Sequence, residues 1–188
     1  MEKPMEILQL LTTRRSEKRL SEPAPNEEQL KQIFQAALNV PDHGRLHPYR
    51  FIIIEGKGLN KFKTLLQAAV EEFELGEEAL KKAENLAHRA PMVIGVVAKI
   101  KKDIPKVPGW EQMLSAGCAT YAIQLAANAQ GFANVWISGK WVNGNALRKA
   151  FSCEEYDQVI GLVMLGTAEE KNEREKKIQN IEDFVSYL

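Results

Sequence analysis

The 188-residue sequence predicts a mixed helix-and-sheet fold, with a small sheet covered by helices on both faces, as one domain over residues 1–188. Three observations lead there. Four short runs, at 51–55, 92–98, 134–138 and 159–165, are apolar almost throughout, as strands buried on both faces read. Segments with apolar residues at helical spacing separate them. Hydrophobic residues make up 45% and charged residues 27%, a balance that can build a sizeable core.

The elements follow in order. Met5, Ile7, Leu8, Leu10 and Leu11 predict a short amphipathic helix over 5–13 that runs into RRSEKR, residues 14–19. SEPAP (21–25) breaks it. Asn26 then stands as an N-cap with Gln29 in capping-box position. The helix that follows, Glu27 to Leu38, offers Leu30, Ile33, Phe34, Ala37 and Leu38 on one face and stops before Pro41. PDHGRLHPY (41–49) is loop, and FIIIE (51–55) is read as a buried strand. Helices are predicted over 59–73 and 76–90, and MVIGVVA (92–98) as the second strand. KKDIPKVPG (101–109) is a polar surface loop. WEQ (110–112) reads as a helix start at the surface. The segment 115–130 is apolar nearly all round and rich in small residues, a helix buried on most sides, with Gly131 as its C-terminal cap glycine. NVWIS (134–138) is the third strand, Asn143 is expected to cap a helix ending at Phe151, and VIGLVML (159–165) is the fourth strand. The charged run 169–177 precedes the tail FVSYL. Strand order and direction stay open.

Charge and composition exclude several classes. Lys+Arg and Asp+Glu stand at 25 each, so no global charge draws the chain to nucleic acid or to an anionic membrane. Cys118 and Cys153 lie in no CxxC or Cys/His cluster, which predicts neither a disulfide framework nor a metal site. The N-terminal segment has no signal-peptide pattern and no run is long enough to span a bilayer, so the expected location is cytoplasmic.

RRSEKR taken alone has two readings. Cations in a last helical turn complement the macrodipole and sit in solvent. Alternatively, paired guanidiniums and a serine hydroxyl in one turn form an anion site. There is no P-loop and no GxGxxG. The two histidines of PDHGRLHPY are four apart in a proline-broken loop, so they form no HExxH zinc site.

The order and spacing of the motifs are more specific than any one of them. A helix ending in RRSxxR, the PDH loop leading to HPYRF and a strand, an AGCA helix ending in AQG, then WISG, then a strand ending in LGT: this resembles the nitroreductase family of flavin enzymes, in its compact bacterial branch. The resemblance implies an α+β fold with a mostly antiparallel sheet of four strands, completed by a C-terminal strand from the partner of an intertwined homodimer. It implies FMN at the subunit interface, NADH or NADPH as hydride donor, and a nitroaromatic, quinone or similar small oxidant, in a ping-pong cycle. On this resemblance Arg14, Arg15 and Ser16 meet the FMN phosphate and ribityl chain. Asn39 and His43 reach it from the partner subunit, and Trp136, Ile137 and Ser138 run along the flavin. Arg19 is expected to pair with a nearby carboxylate. Ala126, Ala127, Asn128, Ala129, Gln130 and Gly131 match a segment assigned to the nicotinamide nucleotide. The chain departs from the family pattern at Asn39 and Ile137, where relatives often carry Arg, and at His47–Pro48–Tyr49, where Gln or Asn precedes Pro-Trp. No side chain is assigned as catalytic. A non-catalytic flavin-binding or ligand-sequestering protein of the same fold is the alternative.

Overall fold

The computed structural model describes residues 7–170 and 179–188. Met5 of the first helix and most of the charged run 169–177 lie outside them. Helix α1 spans Ile7–Thr13, and α2 spans Glu27–Ala37 after the predicted capping box: Gln29 N–H donates to Asn26 Oδ1 at 3.0 Å, and Asn26 N–H to Gln29 Oε1 at 2.9 Å. Strand β2 is Tyr49–Glu55, α3 Gly58–Glu72, α4 Glu77–Ala87 and β3 Met92–Ala98. The long helix α5 is Gly109–Ala129, β4 is Ala133–Ile137, α6 is Asn145–Ala150 and β5 is Gln158–Ala168.

Each strand pairing among the described residues is antiparallel. β3 lies between β2 and β5, and β4 holds the other side of β5. A two-residue strand β1, Leu20–Ser21, pairs with Ala168 and Thr167 at the end of β5. The sequence conceals β1, because it abuts the breaker SEPAP and needs a partner nearly 150 positions away. Alternate residues of the sheet serve two cores. Val93, Val97, Leu162 and Met164 pack with Phe62, Leu66 and Phe151 from α3 to α6, whereas Ile94, Val96, Val163 and Leu165 pack with Ile33, Ala119 and Ile123 of α2 and α5. Two covered faces explain why β3 is apolar at every position.

Several expectations are corrected. The run 51–55 is an edge strand, with Ile53 42% exposed, rather than a strand buried on both sides. Leu38 follows α2 and is exposed. Asn143 does not cap α6: it ends a 3₁₀ turn over Lys140–Asn143, and the first amide of α6, Asn145 N–H, donates to Glu72 Oε2 at 2.7 Å. A carboxylate from α3 thus performs the cap, which sequence neighbours do not reveal. Helix α5 is covered along one side within this chain, with Met113, Leu114, Cys118 and Tyr121 exposed. Ala116, Ala119, Thr120 and Ala127 are buried against α2 and the sheet of the same chain. The tail carries a 3₁₀ turn at Ile181–Asp183 and no strand within this chain.

Candidate functional site

Arg14 directly follows α1, and its N–H donates to Leu10 O at 3.1 Å, so the helical path delivers the guanidiniums to a fixed place. Glu17 N–H then donates to Asn134 O at 2.9 Å and ties the RRSEKR segment to β4. Between these anchors lies an open cleft of about 460 Å³, bordered by Arg14, Arg15, Glu17, Asn128, Gly131 and Glu170. Arg14 lies 5.8 Å from the ring centroid of Tyr121, a cation–π distance, and its buried Nε has no hydrogen-bond partner among the described residues. No carboxylate pairs with Arg14 or Arg15 there either; Arg19 instead meets Glu170 at 3.3 Å, the local ion pair that was expected. Half-buried, unpaired guanidiniums on a concave surface favour a polyanionic guest. Ser16 is exposed in the same turn.

The 126–131 segment borders the same cleft. Asn128 Nδ2 donates to Phe132 O at 2.8 Å and Gln130 Nε2 to Gln29 O at 3.2 Å, while the buried Oδ1 of Asn128 and Oε1 of Gln130 lack donors. Gly131 turns the chain at φ +85°, the left-handed cap. Ala127 is buried and Ala126 half-buried on the core side, and Ala129 is exposed.

β4 carries Trp136, Ile137 and Ser138 away from the cleft. Opposite β5, the register slips so that Ile160 bulges between Gly161 and Val159. The indole of Trp136 crosses over Gly161 and donates Nε1–H to the Ile160 carbonyl at 3.3 Å. The bulge carbonyl and the bare Gly161 together hold the tryptophan against the sheet, 36% exposed. Ser138 is exposed beyond the strand end.

Asn39 and His43 stand elsewhere. Asn39 is exposed after α2, its amide donating to Gln35 O at 2.8 Å. His43 Nδ1 lies 2.6 Å from Glu111 Oε2 at the opening turn of α5. Glu111 and Tyr121 are ten residues apart, about 15 Å along the helix, so His43 and Arg14 sit at different levels of α5. Along this length α5 exposes an apolar stripe from Trp110 through Met113 and Leu114 to Tyr121, with Leu114 60% exposed.

The chain matches the nitroreductase family model over residues 11–167. It belongs to the nitroreductase family. Within it the chain is 70% identical over 184 residues to a Haemophilus influenzae protein, covering 98% of this chain and 100% of that one, named "Putative NAD(P)H nitroreductase". It is 42% identical over the same shares to the YdjA protein of Escherichia coli K12, which bears the same description. A solved nitroreductase-fold protein from Desulfovibrio desulfuricans, described as in complex with FMN, superposes with TM-score 0.74 over 100% of this chain and 99% of that one, at 20% identity.

This nitroreductase-family chain has polar contacts around the His43 loop that its sequence did not single out. Glu111 is one: it was read only as part of a surface helix start, and its acidic group in the first turn of α5 beside a histidine loop was the available signal. Gln112 is another. Fully enclosed, it accepts from Lys101 N–H at 2.8 Å and donates to Lys101 O and Val107 O at 2.9 and 3.2 Å, clamping loop 99–108. Asp157 fastens the start of that loop. It is buried, pairs with Lys99, and accepts from Ile100 N–H at 3.2 Å and Glu154 N–H at 2.7 Å. Burial alone would raise its pKa, but the Lys99 hydrogen bond and the two amide donors outweigh that and hold it below the ordinary carboxylate value. Lys99 is raised, chiefly by its bond to Asp157. Tyr49, which stacks on Phe51, has its phenol raised by burial and by nearby Asp42.

Proposed function

We propose that the protein is an FMN-dependent NAD(P)H oxidoreductase, acting as a single nitroreductase-like domain in a cytoplasmic homodimer. The observation that carries this reading is the cleft at the end of α1, where Arg14 and Arg15 present guanidiniums without carboxylate partners among the described residues. A flavin phosphate is dianionic near neutral pH, and two planar donor forks suit it better than flexible ammonium groups. Ser16 adds a hydroxyl in the same turn. Asn128 and Gly131 border the same cleft and set polar groups beside the cationic turn. FMN supplies the redox chemistry in this reading, taking a hydride from NAD(P)H and handing it in a second half-reaction to a nitroaromatic, a quinone or a similar small oxidant. The chain's own residues bind and orient: the cationic turn holds the phosphate end, and Trp136, Ile137 and Ser138 line the path of the ring.

Two features support the dimer. His43 is about 15 Å along α5 from the Arg14 level, so a site using both draws them from two chains, and Asn39 of the same loop region goes with His43 in this reading. The stripe on α5 joins exposed Ile7 and Leu8 of α1 and exposed Phe184, Val185 and Tyr187 of the tail as apolar surface in need of cover. The tail is then free to add a strand to the partner's sheet. The 126–131 segment borders the phosphate cleft, so its polar groups, Asn128 and Gln130, serve a nucleotide there.

The decisive experiment is the visible spectrum of the purified protein, followed by anaerobic addition of NADH or NADPH. A flavin spectrum that bleaches, then turnover with a quinone or nitro compound, is expected. Colourless protein that fails to take up added FMN would sink the reading. Bound flavin that no hydride donor reduces would leave a flavin-binding protein without catalysis.

A further inference from the structure

Loops 42–48 and 99–108, beside the first turn of α5, form a second charged feature. They are locked together. Lys99 N–H donates to Pro48 O at 3.0 Å and Lys101 Nζ to Leu46 O at 3.2 Å. A Cβ placed on Gly44 would stand 3.2 Å from Val107 Cγ2, so the Val107 side chain packs closely on the Gly44 backbone. Gln112 clamps the second loop from inside. Four non-glycine residues with left-handed backbone fall in this pair: Arg45 (φ 51°), His47 (φ 46°), Asp103 (φ 56°) and Lys106 (φ 69°). Each such conformation is strained and persists only where the surroundings over-determine it.

The result is a rigid cationic wall. Lys99 is engaged by Asp157, and Lys102 lies over the ring of Tyr156. Among the carboxylates, Asp42 accepts the His47 N–H at 2.7 Å and Glu111 is taken by His43. Arg45, Lys101 and Lys106 remain exposed, with no ion-pair partner among the described residues; Asp103 is the exposed carboxylate near them.

We propose that Arg45 and Lys101 bind the ribose 2′-phosphate of the hydride donor, so that the protein uses NADPH in preference to NADH. This rests on the reading above, which lays the flavin against His43, the residue at the foot of the wall. A 2′-phosphate is a compact anion with three acceptor oxygens; NADH has an uncharged hydroxyl at that place. The Lys101 ammonium rests on the carbonyl of Leu46, next in sequence to Arg45, so two cations of opposed loops are available to one phosphate.

The test uses the flavin-loaded protein and two probes, 2′,5′-ADP and 5′-AMP, by calorimetry. A charge-assisted contact contributes about 1.5–3 kcal/mol, so 2′,5′-ADP is expected to bind at least about tenfold tighter. The double substitution Arg45→Gln, Lys101→Gln should collapse that preference and lower the NADPH-to-NADH ratio of kcat/KM by about the same factor. The charge-matched pair Lys57→Gln, Lys61→Gln, at the opposite end of the sheet, should retain it. Equal binding of both probes by the wild-type protein, or a preference surviving in the Arg45/Lys101 variant, would overturn the proposal. A colourless protein that still prefers 2′,5′-ADP would sink the flavin reading and keep the anion site.

Discussion

Replacing Asp157 by Ala removes a buried acceptor that three donors share. Its side chain is 3% exposed. The amides of Ile100 and Glu154 each lose a partner, at about 1 kcal/mol apiece net and more if they stay dry. Lys99 loses its main counter-charge. Breaking a buried pair costs about 3–5 kcal/mol, but Lys99 is 27% exposed and keeps Glu154 Oε1 at 3.2 Å, so its share falls to about 1 kcal/mol. The expected loss is about 3 kcal/mol, a sizeable part of the 5–15 kcal/mol typical of a domain. Urea denaturation at pH 7 followed by circular dichroism measures it as a lowered midpoint. The pH dependence supplies a second reading. Asp157 has a depressed folded pKa, so its contribution is present above the unfolded value of about 4 and fades as pH falls through the lower folded one. Lys99 is raised, so its contribution is full below about 10.5 and fades as pH rises past it. The gap between wild type and Asp157→Asn should therefore be wide at pH 7 and narrow in acid. A midpoint for Asp157→Ala within about 0.5 kcal/mol of wild type would refute the clasp.

Three other outcomes are expected. Replacing Arg14 and Arg15 together by Ala should leave a folded but colourless protein, with FMN affinity lowered at least about 100-fold in a fluorescence titration; wild-type affinity would move the phosphate site elsewhere. Gel filtration with light scattering should give twice the 21.2 kDa chain mass, and Leu114→Asp, which places a charge on the exposed α5 stripe, should yield monomers that lose flavin; a flavin-bound wild-type monomer would contradict a shared site. Gly161→Ala sets a methyl group against the Trp136 indole and the Ile137 carbonyl, and should cost about 1–3 kcal/mol while shifting tryptophan emission; an unchanged spectrum would mean the indole does not rest on that glycine.

The sequence by itself determined what local chemistry and apolar period dictate. The capping box at Asn26 and Gln29, the cap at Gly131 and the fully apolar β3 follow from neighbours within a few positions, and each stands where it was read. The arginine turn was equally legible as a motif, and the structure places it on a cleft. Tertiary structure decided the rest, because those features depend on partners far along the chain. FIIIE became an edge strand since nothing else pairs with its outer side among the described residues. Thr167 found β1 across 146 positions, Glu72 replaced Asn143 as the cap of α6, and Gln112, apolar in setting but polar in task, shut a loop eleven residues upstream. The small residues of α5 were visible in the sequence, but the face they serve was not. Period and size identify a buried helix side, and the packed chain sets Ala116, Ala119 and Ala127 of that side against α2 and the sheet.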